Sequence, residues 1–291
     1  MRIGINSTEY MRKSALQLFK DIHDTGFDSV NLSFESITEA DYEPECFFGF
    51  PEVTDERTID SVLRAKEKYG IRVSALKGLF NTAHPDPEVR DEGIRRFKSL
   101  CLAAKIFDTP VITVCSGTRN TQNFMGFSQD NITKEAWETM SDTMKRLADI
   151  AERTGITLAL EMHLSHIVNT SESARRLLDE IGSQRFKMVY SSADLFLPGS
   201  AKQENVRHLL GRAFELFRSD IALVYAGDIM EGDGIEYCGT GDGIVDFVYI
   251  ARMLRKIGYE GDVMVEKVRG EKKILDAYNH WKASLGISEM F

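Results

Sequence analysis

The chain alternates short, mostly apolar runs with segments whose apolar residues recur at helical spacing. Apolar runs of this kind are typical of parallel strands, which are covered on both faces. Several helical segments end at a glycine, as at Gly26, Gly70 and Gly155, and one begins after Asp86 as a cap. The pattern predicts eight strands, at 2–7, 29–34, 72–78, 111–117, 157–163, 186–193, 221–228 and 262–268.

A strand followed by a helix, repeated eight times, predicts an α/β fold of the (β/α)8 TIM barrel type. A doubly wound open sheet is the alternative, and the barrel is favoured because eight units suit closure. No linker-like or low-complexity segment interrupts the pattern, so we interpret residues 1–291 as one domain. The two longest strand-to-helix connections, 35–55 and 117–132, are expected at the C-terminal mouth of the barrel, where active sites lie.

The fifth predicted strand, within "GITLALEMHLSH", ends in an acid and two imidazoles. Because alternate strand residues share a face, Glu161 and His163 are expected to point inward with Thr157 and Ala159. A buried carboxylate is costly unless it is paired or binds a metal, so Glu161 is a candidate for catalysis or metal binding. A structural hydrogen bond is the alternative for His163, and it is the favoured interpretation for the loop residue His166.

Glu266 follows a similar apolar run in the eighth predicted strand. Two glutamates on the fifth and eighth strands could face each other across the mouth. Such a pair can hold a divalent ion, or move a proton on either side of a carbon next to a carbonyl group. The alternative for Glu266 is an ordinary salt bridge at the end of a strand.

Other polar residues follow neighbouring strands. Asp194 and Asp228 come after the sixth and seventh strands and are expected to reach the mouth, although Asp228 is equally well explained as a loop cap. Arg119 follows the fourth strand and is a candidate to hold a substrate oxygen or to neutralise the acidic mouth. His84, just before the third helix, is a candidate to line the opening.

Composition narrows the class of protein. A hydrophobic fraction of 43% and a charged fraction of 28% are typical of soluble globular proteins. A net charge of −9 argues against nucleic acids and acidic membranes as partners, and favours a small molecule. No signal peptide or long apolar run is visible, and none of the four cysteines forms a CxxC pair, so we expect a cytoplasmic protein with reduced thiols.

The chain resembles the xylose isomerase-like (AP endonuclease 2) TIM-barrel superfamily, specifically its sugar phosphate isomerase/epimerase branch. The resemblance runs over nearly the whole chain and depends on the order and spacing of several pieces. The pieces are "FNTAHPDPEVRDEGIRRFKSLCLAAKIFDTPVITVCSGTRN" (80–120), "AERTGITLALEMH" (151–163), "VNTSESARRLLDEIG" (168–182), "YAGDI" (225–229) and "GTGDGIVDFVYIARMLRKIGYEGDVMVE" (239–266).

The resemblance implies one divalent ion, often Mn²⁺, Mg²⁺ or Zn²⁺, held by a Glu, an Asp, a His and a Glu after strands five to eight. Glu161 and Glu266 retain the two glutamates, which also form the acid–base pair in epimerases. The usual Asp falls on Ser191 and the usual His on Tyr225, and hydroxyl groups are weak ligands for these ions. In the usual His-x-Lys-Asp pattern after strand seven, the Lys falls on Gly227, and Asp228 retains the Asp.

Two outcomes stay open for the metal. Either Asp194, His163 or His166 rebuilds a shifted site, with Glu161 and Glu266 as the other ligands, or the protein binds no catalytic metal.

The resemblance implies a sugar isomerase- or epimerase-like enzyme, in which Glu161 and Glu266 move protons next to a carbonyl group. The candidate substrate-binding residues are His163, His166, Arg119, Tyr225, Asp228 and Ser191. A dehydratase or lyase acting on a cyclic polyol is one alternative, and a sugar-binding or partner subunit that has lost catalysis is another. The expected partner is a small sugar or polyol, and family barrels are often homo-oligomers.

Overall fold

The structure of the protein, a computed structural model, describes residues 1–40, 47–52 and 54–289. Eight parallel strands close into a barrel in the order β1-β10-β7-β6-β5-β4-β3-β2. These strands are β1 (Arg2–Asn6), β2 (Ser29–Leu32), β3 (Arg72–Lys77), β4 (Val111–Cys115), β5 (Thr157–Glu161), β6 (Phe186–Ser191), β7 (Ile221–Ala226) and β10 (Asp262–Val265). Two short strands, β8 (Asp228–Ile229) and β9 (Tyr237–Cys238), form an antiparallel hairpin after β7.

In the described part of the chain, eight α-helices surround the barrel. They are α1 (Ala15–Thr25), α2 (Glu56–Tyr69), α3 (Pro87–Ile106), α4 (Lys134–Thr154), α5 (Ser171–Ile181), α6 (Val206–Phe217), α7 (Phe247–Lys256) and α8 (Glu271–Glu289). Their ends follow the sequence signals, since the side chain of Asp86 caps the start of α3 and Gly155 ends α4 in the left-handed conformation at φ 75°.

Strand alternation separates the two sides of the barrel wall. The outward side chains pack with the helices in one large apolar cluster. A second, smaller cluster fills the barrel interior and consists of Ala75, Val111, Ala159, Val189, Leu223, Tyr225 and Met264. Ala159 belongs to this interior cluster, so Glu161, two residues later on β5, points to the same side at the mouth.

The predicted (β/α)8 barrel and its eight strands are confirmed. Each strand ends one to three residues before its predicted end, so that Glu161 is the last residue of β5 and Glu266 directly follows β10. The β8–β9 hairpin was not predicted. Part of the predicted connection at 35–55, including Cys46, lies outside the described residues.

Among the helices that the structure describes, none combines the length and the apolar character needed to span a membrane.

Candidate active site at the barrel mouth

Glu161 lies at the mouth with only 3% of its surface exposed. Its Oε1 accepts a hydrogen bond of 2.6 Å from the hydroxyl of Tyr225 on β7. Its Oε2 lies 3.5 Å from Nε2 of His163, within ion-pair distance, although this nitrogen has no well-aligned hydrogen bond within the described residues. Glu161 is therefore held from two sides by groups of the barrel.

A chain of hydrogen bonds connects Glu161 to the second glutamate. The Tyr225 hydroxyl accepts a bond of 2.7 Å from Nδ2 of Asn31, at the end of β2. The same Nδ2 donates to Oδ1 of Asn6 at 3.0 Å, and Nδ2 of Asn6 donates to Oε2 of Glu266 at 3.2 Å. All five side chains are buried, so four strands and the residue that follows β10 place one continuous polar network across the mouth.

Glu266 belongs to a compact charged cluster with Asp194 and Lys267. The Lys267 ammonium lies 3.2 Å from Oδ1 of Asp194 and 3.4 Å from Oε1 of Glu266. Ser191, the last residue of β6, donates its single hydroxyl hydrogen to Oδ2 of Asp194 at 2.6 Å, with Oε1 of Glu266 as a weaker second acceptor at 3.3 Å. Two carboxylates therefore share one ammonium and one hydroxyl.

The two glutamates differ strongly in acidity. Burial alone would raise the pKa of Glu161, but the neighbouring Lys77 ammonium, the His163 imidazole and the Tyr225 hydrogen bond lower it to about 2. Burial raises the pKa of Glu266 to about 7, because the Asp194 charge opposes ionisation and Lys267 only partly compensates. The mouth thus pairs an ionised carboxylate with one that titrates near neutrality, and such a separation is typical of acid–base sites.

The two predicted histidines lie side by side, with ring centroids 4.8 Å apart. His166 is fully buried, its Nε2 lies 2.7 Å from the carbonyl oxygen of Phe124, and burial lowers its pKa well below the ordinary value. His166 is thus neutral and held by the backbone, whereas His163 contacts Glu161. The structure brings His163, but not His166, into contact with a predicted catalytic residue.

Three other candidate residues make contacts within the loops at the mouth of the barrel. The Arg119 guanidinium contacts Glu135 at 3.0 Å and the carbonyl oxygen of Ala83 at 3.4 Å. Asp228 accepts four backbone N–H bonds, which tie the β8–β9 hairpin to the following loop, and burial raises its pKa despite those bonds. His84 packs its ring 4.6 Å from that of Phe47. These contacts organise the loops of the mouth.

Four residues of the site were missed by the sequence analysis: Asn6, Asn31, Lys77 and Lys267. Three of them stand at or next to the C-terminal ends of apolar strands, and this signal was available. Lys267 carried no such signal, because a residue that follows an inward Glu266 is expected to point outward.

The model of the xylose isomerase-like TIM barrel family matches residues 19–284. The chain belongs to this family. The inosose dehydratase of Geobacillus thermodenitrificans (strain NG80-2) is 24% identical over 143 residues, which cover 46% of this chain and 48% of that protein. The chain thus spans about half the length of the curated relatives that it matches.

Solved structures agree on the fold. A D-tagatose 3-epimerase-like protein superposes with a TM-score of 0.76 at 18% identity, covering 100% of this chain and 99% of its own. The IolI protein, solved with a zinc atom, superposes with a TM-score of 0.72 at 19% identity and covers 100% and 99% of the two chains. At such low sequence identity, these superpositions show the barrel fold alone. The activity has to be argued from the residues of the site.

At the barrel mouth, the donor set of the described residues does not fit a divalent ion. In the part of the chain that the structure describes, no three His, Cys, Asp or Glu side chains are grouped to hold a metal. Ser191 and Tyr225 donate their hydroxyl hydrogens to carboxylates, and a lysine ammonium already lies between Asp194 and Glu266.

Proposed function

We propose that this protein is an enzyme that moves protons next to the carbonyl group of a small sugar or cyclic polyol, as an isomerase or epimerase does. The hydrogen-bonded chain from Glu161 through Tyr225, Asn31 and Asn6 to Glu266 is the observation that carries this proposal. It holds two carboxylates of different acidity in one buried network, which is the arrangement that paired acid–base chemistry requires.

The proposed roles follow from the local contacts. Glu266, which titrates near neutrality, gives and takes a proton at physiological pH. Glu161 stays ionised and is the second proton acceptor. The Lys77 ammonium has no hydrogen bond or ion pair within the described residues, yet it is the strongest charge acting to ionise Glu161. A substrate oxygen that binds Lys77 would share this charge, which makes Glu161 more basic as the substrate carbonyl is polarised.

A dehydratase acting on a cyclic polyol is the second candidate, and the names of the curated relatives favour it. In this reaction one glutamate removes the proton next to the carbonyl group, and the C–O bond at the neighbouring carbon breaks. The leaving hydroxyl takes a proton from the other carboxyl group and departs as water. Glu266 keeps a proton up to about pH 7 and is the better donor for that step.

Solvent exchange provides a test that all these enzymes share, because each reaction begins by breaking a C–H bond next to a carbonyl group. The protein is incubated in D2O with a panel of ketoses and inososes, and proton NMR follows deuterium incorporation. Exchange with a new sugar spectrum indicates an isomerase or epimerase, and exchange with loss of water indicates a dehydratase. Binding without exchange, across the panel, would show a sugar-binding protein and overturn the proposal.

Substitutions then assign the roles. Glu161→Gln and Glu266→Gln are each expected to reduce exchange by about 100-fold or more, the usual contribution of a general acid or base. Glu180→Gln is the matched control, because Glu180 lies on α5 outside the barrel, where it contacts Ser141 and Lys145. Its exchange rate should equal that of the wild type.

A further inference from the structure

Lys267 has an unusual backbone conformation next to the proposed acid–base residue. Its φ is 58°, in the left-handed region that residues other than glycine rarely adopt. Glu9 from the other end of the chain holds this turn, because its carboxylate accepts the backbone N–H groups of Lys267 at 3.0 Å and Val268 at 2.8 Å. A costly conformation that is held by two charge-assisted bonds indicates that the position of the side chain matters.

The turn delivers the Lys267 ammonium into the mouth. Without it, strand alternation would send the side chain away from Glu266. The ammonium instead contacts both oxygens of Asp194, at 3.2 and 3.4 Å, and one oxygen of Glu266 at 3.4 Å. The ring of Tyr237, on the β8–β9 hairpin, lies 4.1 Å from the ammonium and covers another side.

Gly227 provides the space for this arrangement. A Cβ atom at position 227 would lie 2.8 Å from Oε1 of Glu266 and 3.1 Å from Cδ of Lys267. Both distances are too short for ordinary packing, so any larger residue would displace the carboxylate or the lysine. Three features therefore place one ammonium between two carboxylates. They are the strained turn, the Glu9 carboxylate that holds it, and the space left by Gly227.

We propose that Lys267 is the resident cation of this site and takes the place of a divalent metal ion. A metal bound by Asp194 and Glu266 would need their oxygens at about 2.0–2.6 Å, and the ammonium occupies that position. The single positive charge of Lys267 partly neutralises the Asp194 and Glu266 carboxylates, so the site needs no bound metal ion. The catalytic consequence is proton transfer without a metal, and this part depends on the proposed function. That Lys267 occupies the cation position does not depend on it.

Metal content and thermal unfolding test the occupancy without any turnover. The wild type should contain no stoichiometric divalent ion, and neither EDTA nor 1 mM Mn²⁺ should shift its unfolding midpoint. Lys267→Met retains the stem and removes the charge, so Mn²⁺ should raise its midpoint by about 5 °C or more. Lys273→Met is the control, because it removes the lysine of an exposed pair with Asp242 and should gain no response to Mn²⁺.

Lys267→Gly provides a second variant, because glycine adopts the left-handed turn without strain. It should also respond to Mn²⁺. One equivalent of metal in the wild type, lost with EDTA together with stability, would overturn the inference. So would folded Met and Gly variants that Mn²⁺ does not stabilise. If neither variant folds, the metal content of the wild type decides.

The catalytic consequence has a separate readout. Deuterium exchange by the wild type should proceed at the same rate in EDTA as in Mn²⁺. Exchange that requires added Mn²⁺ contradicts the resident-cation role. Absence of deuterium exchange in both buffers counts against the proposed function alone, because the metal-content and unfolding experiments need no catalytic activity.

Discussion

The hydroxyl of Tyr225 lies 2.6 Å from Oε1 of Glu161 and donates its hydrogen to this carboxylate. Tyr225 also accepts from Asn31, so that its hydroxyl group is satisfied on both sides. The residue is neutral, because burial and the adjacent Glu161 charge raise its pKa well above the ordinary value. It therefore serves as a fixed donor to Glu161 and adds to the effect of Lys77 and His163, which lower the pKa of this carboxylate.

Tyr225→Phe should destabilise the protein by about 1–3 kcal/mol, because a buried carboxylate loses a donor and Asn31 loses an acceptor. The pKa of Glu161 should rise, which carbon NMR of the carboxyl group can follow. Tyr190→Phe is the control, since Tyr190 is equally buried but donates to the backbone of Leu210. It should leave the pKa of Glu161 unchanged, and an equal shift in both variants would contradict the role of Tyr225.

Glu266 should make stability depend on pH in a direction opposite to that of most carboxylates. Its pKa rises from the ordinary 4.5 to about 7 on folding. Above pH 4.5 the unfolded chain loses this proton while the folded protein keeps it, so stability falls until about pH 7 and the penalty then stays constant. Glu266→Gln removes the penalty and should gain up to about 3 kcal/mol relative to the wild type between pH 4.5 and 7.5.

Urea unfolding at several pH values measures this gain. Glu67→Gln is the control, because Glu67 is exposed on α2, and its difference from the wild type should not vary with pH. A Glu266→Gln difference that is flat from pH 4.5 to 7.5 would show that Glu266 ionises normally.

Restoring the usual ligands should not by itself restore a metal site. Ser191→Asp with Tyr225→His supplies the two ligand types that the family resemblance predicts at these positions, but the Lys267 ammonium still lies between Asp194 and Glu266. Thermal unfolding of this double variant should not respond to Mn²⁺, whereas the addition of Lys267→Met should produce a response. A double variant stabilised by Mn²⁺ would show that the ammonium is no obstacle.

Glu9 and Lys267 should be energetically coupled. Glu9→Ala removes both acceptors of the left-handed turn and is expected to cost about 2 kcal/mol in the wild type. The cost should be smaller in a Lys267→Gly background, because glycine needs no clamp to adopt a positive φ. Urea unfolding of the four proteins gives the coupling energy, with the exposed Glu67→Ala as a control that should show none.

The fold could be predicted from the sequence because barrel architecture depends on local and repeated signals. Eight apolar runs, capped helices and glycines such as Gly155 determine eight strand–helix units, and eight units close. The same periodicity placed Glu161 inward, two residues beyond Ala159 of the barrel interior. The predicted ends of the strands were less accurate, because the last residues of each apolar run leave the hydrogen-bonded ladder and form the loops of the mouth.

The sequence by itself also determined that two glutamates stand at the mouth, whereas the replacement of the usual metal ligands by Ser191 and Tyr225 stays a prediction from the family resemblance. Only the tertiary structure decided what these residues do. The contact of Lys267 with Asp194 depends on a left-handed turn held by Glu9, which is 258 positions away in the chain. Strand periodicity describes neighbours in the chain, whereas this cation is positioned by a strained backbone and by partners that only barrel closure brings together.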